Sequence, residues 1–296
     1  MDLDTLIIRW FCMIDEGLQT LLAGKRLRER GSQPRLADSE VLTLEVGGEY
    51  LGLGQDSTIF AYFRRHYLHF FPALAHLHRT TFVRQAANLQ LMQDQLWQWP
   101  YDRIPHDPQI AIVESLALPV CQFTRAPRSR RFRGEAAYGH DHLTHPSFLY
   151  RFRLQVRVCW PGVRCQLEVT PGNGQELAAA EDSTAGTSGV GIGGRNFLAP
   201  RLREQLAQRG VELLAPFRCR KQDPQPHLSR ALSRWRYKIA TIFGQLVERT
   251  TLKRLWAHDC WHLTSRLLRK ALMHPLAVFT NVTTGHPPLH LAALVR

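Results

Sequence analysis

The feature that most constrains this chain is a change of hydrophobic period near Asp102. Before it, apolar residues recur at helical spacing; after it, they gather into short runs bounded by Gly and Pro. Between residues 3 and 22 the series Leu3, Leu6, Ile7, Trp10, Phe11, Ile14, Leu18 and Leu21 marks one helix face, and Gly24 ends it. A second helix is predicted over 40–51 behind an N-cap at Asp38, and a Gly-rich stretch breaks it. A third starts at Asp56 or Ser57 and carries Phe60, Phe63, Tyr67, Phe70 and Phe71; a fourth covers 80–97 and stops before Pro100. Residues 1–100 are thus expected to form an all-helical N-terminal domain with basic tips at 25–30 and at Arg64 and Arg65. Such a unit suits DNA binding, and the same pattern suits a plain four-helix bundle.

Beyond Asp102 the pattern predicts a short buried strand over 109–114, then a hairpin of 148–158 and 163–169 around Pro161 and Gly162. A helix over 175–182, a Gly-diluted strand over 189–193, a helix over 200–208 and a strand over 211–215 follow, with helices over 228–249 and 259–279 last. Strands first, then alternating helix and strand, then helices, predicts an α/β fold with a mixed sheet flanked by helices. That is the order of an RNase H-like sheet, which other mixed α/β folds share. The domain is expected over 105–285, with 286–296 as a C-terminal tail.

Charge narrows the partners. Thirty-eight Lys and Arg against 25 Asp and Glu give a net charge of +13. Such an excess draws polyanions, and guanidinium groups match phosphate oxygens in pairs, so nucleic acid leads over anionic membrane. The basic residues cluster twice: Arg125, Arg128, Arg130, Arg131 and Arg133 follow the first predicted strand, and Arg218, Arg220 and Lys221 follow the last. Both groups are candidate DNA contacts, because interleaved Arg and Phe pair phosphates and stack on bases; a solvated loop is the alternative at the first. The six cysteines form no C-x-x-C pair and read as unpaired core thiols, although Cys159 and Cys165, the closest in sequence, could face each other across the hairpin as a disulfide or metal pair. No stretch approaches the roughly 18 consecutive apolar residues of a membrane span, and the start lacks a signal peptide's basic region. A soluble, cytoplasmic protein with no membrane partner is expected.

Three segments carry a family resemblance. Ile112 to Cys121 matches I-x-D-S-x-P/A-L-P-V-C, Gly193 to Phe197 matches G-D-R/K-x-Y/F, and Arg236 to Leu246 matches R-x-x-I-E-T-x-F-x-Q-L. Ala137-Tyr138-Gly139, Pro171 to Glu176, Ala215 to Arg218 and Arg266 to Lys270 add supporting matches. With these motifs in order, the chain resembles the DDE transposases of bacterial insertion sequences, most closely the insertion-sequence 982 family. The resemblance implies cleavage and joining of double-stranded DNA at element terminal repeats, by a homodimer on DNA in the nucleoid. It also implies two divalent ions, Mg2+ or Mn2+, held by an Asp, Asp, Glu set about 4 Å apart.

This copy departs from the pattern at each acid. Glu114 stands for the first Asp and is the one remaining catalytic and metal-binding candidate; Gly194 and Ala240 stand at the other two positions. Gln155 and Gln175 occupy places where relatives carry His. The resemblance therefore implies a transposase impaired in catalysis, or a non-enzymatic DNA-binding relic or repressor derived from one. Asp182, Glu212 and Glu248 are weighed as substitute acids, and Glu114 also fits a simple paired carboxylate. His140, Asp141, His142 and His145 form a loop cluster with metal-like spacing, while Trp256, His258, Trp261 and His262 read as packing and capping residues.

Overall fold

Capping and burial account for the helices of the N-terminal region. In a computed structural model that describes residues 1–141, 147–160, 162–174, 188–197, 199–217, 219–254 and 256–295, helix α1 spans Leu3–Leu22. The Asp2 carboxylate accepts from the Thr5 amide at 2.7 Å, which satisfies one of the free amides of the first turn. Leu6, Ile7, Trp10, Ile14 and Leu18 are buried along one face, and Ala23, at φ 47°, turns the chain out of the helix.

Helix α2 (Asp38–Tyr50) is buried at every position from Val41 to Tyr50, which makes it the central element of its unit. Helices α3 (Asp56–His66), α4 (Arg79–Asn88), α5 (Gln90–Leu96) and α6 (Gln98–Tyr101) follow. The single helix expected over 80–97 is thus interrupted at Leu89, whose ψ of 5° departs from helical geometry, although neither Gly nor Pro marks the break.

The second unit is an α/β layer. Its strands are β1 (Asp107–Gln122), β2 (Ala137–Asp141), β3 (Ser147–Trp160), β4 (Val163–Pro171), β5 (Gly189–Ile192) and β6 (Val211–Leu214). Strand β3 lies antiparallel to β1, with Glu114 opposite Val156, and its other edge pairs with β2 and β4 in turn. On the far side, β5 runs parallel to β1 and β6 parallel to β5. Parallel neighbours need a crossover, and helix α7 (Pro200–Gln208) supplies it. Its Leu202 and Leu206 pack with Val113, Phe197, Val211 and Leu213 on one face of the sheet. Helix α8 (Pro226–Thr250) follows.

Strand β1 is far longer than the expected 109–114. Residues beyond Glu114 keep pairing with β3 as far as Gln122, and the register shifts between Pro119 and Cys121. Proline has no amide hydrogen to give a ladder, so it is tolerated at such an irregularity. Strand β2 has no counterpart among the predicted elements. Cys159, at the turn end of β3, is disulfide-bonded and not the free thiol its scattered spacing predicts. The helix expected over 175–182 lies outside the described residues.

Packing groups Met1–Ile104 with Gln245–Arg296, and leaves Pro105–Gly244 as the other unit. Helix α9 (Cys260–Thr283) therefore packs with the N-terminal helices, whereas element order alone predicts 105–285 as one domain with 286–296 as its tail. The cause is burial. Every residue of α9 from Leu267 to Val278 is buried, including Arg269 and Lys270, and these cations meet carboxylates of α2 and α3. Arg269 donates from Nε to Glu49 at 2.5 Å and from Nη1 to Glu45 at 3.1 Å, and it also contacts Asp56. Lys270 contacts Glu49 and donates to the Thr250 carbonyl at 2.6 Å; Arg266 reaches Asp56 at 2.7 Å.

Three carboxylates and three cations thus share a dry interior. Burial pushes the Glu45 carboxyl up to about 7 against the pull of Arg269, and pushes the Lys270 ammonium down to about 8 against the pull of Glu49. Arg269 is held above its ordinary value, because Glu49, Asp56 and Glu45 outweigh the burial that opposes its charge.

Replacing Arg269 by Met leaves three acids without their shared partner and should destabilise the helical unit by roughly 3–5 kcal/mol in urea titrations. A second expectation concerns pH. A carboxyl whose folded pKa is raised contributes stability that is complete below its ordinary 4.5 and is lost as pH rises to about 7. The stability of the parent relative to Glu45→Gln should therefore fall across that window by up to about 3 kcal/mol, read from urea unfolding at each pH.

Candidate functional site

The register of the sheet brings two of the three motif positions together. Strand β5 ends at Ile192, opposite Ile112 of β1, and the Gly193 amide donates to the Leu214 carbonyl at 2.9 Å. The chain then passes Glu114, two residues farther along β1. A Cβ placed on Gly194 would lie 3.4 Å from Glu114 Oε1 and 3.3 Å from Arg236 Nη2. A side chain at position 194 would thus point at the Glu114 carboxylate. By contrast, a Cβ on Gly193 would meet Phe197 at 2.6 Å, and Phe197 is a core residue at 1 % exposure.

Arg236 comes from helix α8 and closes the group. Its Nε donates to Glu114 Oε2 at 3.2 Å and its Nη2 donates to the same oxygen, so Oε1 is the atom left facing Gly194. Both side chains are partly buried, at 26 % and 20 % exposure. Ala240 lies one helical turn after Arg236 and is exposed. Residues four apart share a helix face, and helical side chains lean toward the N-terminus, so a longer side chain at 240 would lean toward Arg236.

Chemically, one carboxylate neutralised by one guanidinium does not make a site for a pair of divalent ions. Magnesium asks for about six oxygen ligands in near-octahedral geometry, and two-metal chemistry needs carboxylates from several elements. Among the described residues no group of three His, Cys, Asp or Glu side chains is placed to hold a metal. The substitute acids do not change this. Glu212 is exposed on β6, Glu248 is exposed and packs in the helical unit, and Asp182 lies outside the described residues. Gln155 pairs with Ser115 across β1 and β3, which puts it on the sheet face opposite Glu114. Gln175, His142 and His145 lie outside the described residues, as do the side chains of His140 and Asp141.

The basic residues fall into two places. Arg125 and Arg128 lie in the 3-10 turn Phe123–Arg128, with Arg130, Arg131 and Arg133 just after it, and all five are exposed. Eight residues of extended β1 separate Glu114 from Gln122, which carries this stretch roughly 25 Å along the strand from the carboxylate. Beside it, Phe123 lies 5.2 Å from Tyr138 and 6.3 Å from Phe148, ring to ring, and all three rings are exposed. Lys221 is exposed in the turn after β6; Arg218 and the side chain of Arg220 lie outside the described residues.

Next to Gly194 the structure holds basic residues that composition alone does not single out. Arg195, His227, Arg230, Arg234 and Tyr237 line a groove of about 890 Å³ along the first half of α8. On the same helix Trp235 lies 5.3 Å from Trp160, and the Lys238 ammonium sits 3.5 Å from the Trp160 ring centre. The signal for this surface was present in the run Arg234-Trp235-Arg236-Tyr237-Lys238, where cations alternate with aromatic rings.

Residues 106–255, just over half of the chain, match the model of a family described as a transposase DDE domain. Among curated proteins none matches significantly, and among solved structures none does.

The two adjacent glycines should respond differently to a methyl group. Gly193→Ala drives its Cβ into Phe197 and should cost about 1–3 kcal/mol, whereas Gly194→Ala meets only ordinary or slightly tight contacts and should stay within about 1 kcal/mol of the parent. Chemical denaturation of the two variants side by side checks this.

Proposed function

Since the chain belongs to the transposase DDE-domain family, we propose that it is an insertion-sequence transposase, or a protein derived from one, that binds double-stranded DNA at element ends and does not cleave it. Its helical residues 1–100 serve DNA recognition, and the α/β unit Pro105–Gly244, the greater part of the expected 105–285 domain, is descended from the catalytic domain. The strand order β4-β3-β1-β5-β6, with the first three antiparallel and the last two parallel to β1, supports an RNase H-like reading of that region. A homodimer on paired ends follows from the resemblance.

The observation that carries the reading is the convergence of Glu114, Gly194 and Arg236 beside a basic groove. Position 194 aims at the remaining acid, as a metal-binding pair requires, yet it offers no side-chain oxygen. Mg2+ or Mn2+ is the ion such a site would take in the family. The donor set here does not fit it, and no reaction step is assigned to it. What remains is binding: Arg195, Arg230 and Arg234 supply phosphate contacts near the old site, and Arg125, Arg128, Arg130, Arg131 and Arg133, with Lys221, Arg218 and Arg220, supply others. A retained repressor or a partner for active copies would act through the same surfaces.

The parent protein should bind duplex DNA with a steep loss of affinity as salt rises, and neither nick nor join it in magnesium. The combined change Glu114→Asp, Gly194→Asp and Ala240→Glu should restore magnesium-dependent strand cleavage, whereas any one of the three alone should not. Cleavage by the parent that disappears in Glu114→Ala overturns the inactive reading, and a parent with no affinity for duplex DNA overturns the binding one.

A further inference from the structure

The helical unit has a groove of its own, lined by none of Glu114, Gly194 and Ala240. It occupies about 600 Å³ where the starts of α3 and α9 meet one face of α4 along its whole length. Trp256 and Trp261 line it at 54 % and 50 % exposure, so half of each indole faces solvent. Two half-exposed indoles lining one groove rimmed by polar residues make a grouped apolar surface, the kind that marks a binding site where a single exposed ring does not. Trp256 is also held at φ 54°, a backbone conformation that bulky residues seldom adopt. The expectation that Trp256, His258, Trp261 and His262 serve only packing and capping accounts for His262, which contacts Asp259 at 2.8 Å, and not for the two rings.

Charge says what fits there. Arg79 and Arg84 line the groove from exposed positions on α4, and neither meets a carboxylate among the described residues. The groove's one acid, Asp56, is engaged by Arg266 at 2.7 Å and by Arg269 behind it. Its Coulombic pull is therefore already balanced, and the open face of the groove is cationic. A ligand that satisfies both halves carries negative charge on a flexible backbone and a flat ring free to stack. Paired bases in a duplex do not offer their faces; an unstacked base does.

We infer that this groove holds an unstacked nucleotide of a single DNA strand, its base against Trp256 and Trp261 and its phosphates at Arg79 and Arg84. The inference rests on the reading that DNA is the partner, and it adds a second mode of contact to that reading: stacking on a frayed or extruded strand, alongside charge contacts with a duplex. The buried ion network beneath it keeps the floor of the groove fixed, because Asp56 is held at both oxygens.

The test titrates the full chain with a single-stranded oligothymidine and with a duplex of equal length, following anisotropy and tryptophan fluorescence. In the parent, the oligothymidine should quench part of the emission of the seven tryptophans, and Trp256→Ala with Trp261→Ala should abolish that part. The same double variant should weaken single-strand binding about tenfold or more and leave duplex affinity within about threefold. Trp261→Phe keeps a ring and should retain most of the affinity, which separates stacking from a folding defect. Arg79→Ala with Arg84→Ala should lower the slope of log affinity against log salt for the single strand by about 1.4. A double tryptophan variant that binds the oligothymidine as the parent does overturns the inference while duplex binding, and with it the transposase reading, stands. Equal losses for single strand and duplex overturn it as well, since a general cationic patch behaves that way. A parent that binds neither probe sinks the DNA reading and this inference together.

Discussion

A carboxylate leaves water only when a cation goes with it, and both units of this protein are arranged around that constraint. In the helical unit, Glu45, Glu49 and Asp56 enter the interior against Arg266, Arg269 and Lys270, which draws helix α9 in among the N-terminal helices. In the α/β unit, Glu114 is partly buried at the middle of β1 and takes Arg236 from α8. The first case is a network that fixes which elements pack together. The second has a different character, because it is a single ion pair, partly open to solvent, that joins one strand to one helix.

The pair of glycines at the end of β5 illustrates how neighbouring positions without side chains can differ in the room the fold leaves them. Gly193 has no room for a side chain, since Phe197 fills the space; Gly194 has room and a direction, toward Glu114. Absence of an acid at 194 is therefore no demand of the fold. The backbone still delivers the position to the carboxylate.

Much of this was readable from residues alone, and the exceptions have physical causes. Helix α1 follows directly from its apolar spacing, and the order of strands and helices led to the mixed sheet; the Asp2 cap came only with the structure. The convergence of Glu114 and Gly194 was implied by motif order. The length of β1 was missed because the expected strand was ended at Glu114, whereas residues 115–122 keep pairing with β3 through a register shift at Pro119. The break at Leu89 carries no Gly or Pro, so periodicity ran through it. Least legible were Arg269 and Lys270. Charged residues on a helix ordinarily read as its wet face, and nothing local announces acids more than 200 positions earlier in the chain. Arg236 was visible as a motif residue, but its grip on Glu114 depends on the placement of α8, which pattern cannot supply.

The extension of β1 past Glu114 has a geometric corollary for any nucleic acid that touches both ends of it. Roughly 25 Å of strand separates Glu114 from the arginine stretch. At 3.4 Å per step, a double helix laid alongside would pass about seven base pairs, most of one turn, between the two. Seven base pairs are about two-thirds of a turn, so contacts at the two ends would meet the duplex on faces about 240° apart, and the strand acts as a ruler that sets the minimum length of DNA able to occupy the whole α/β surface.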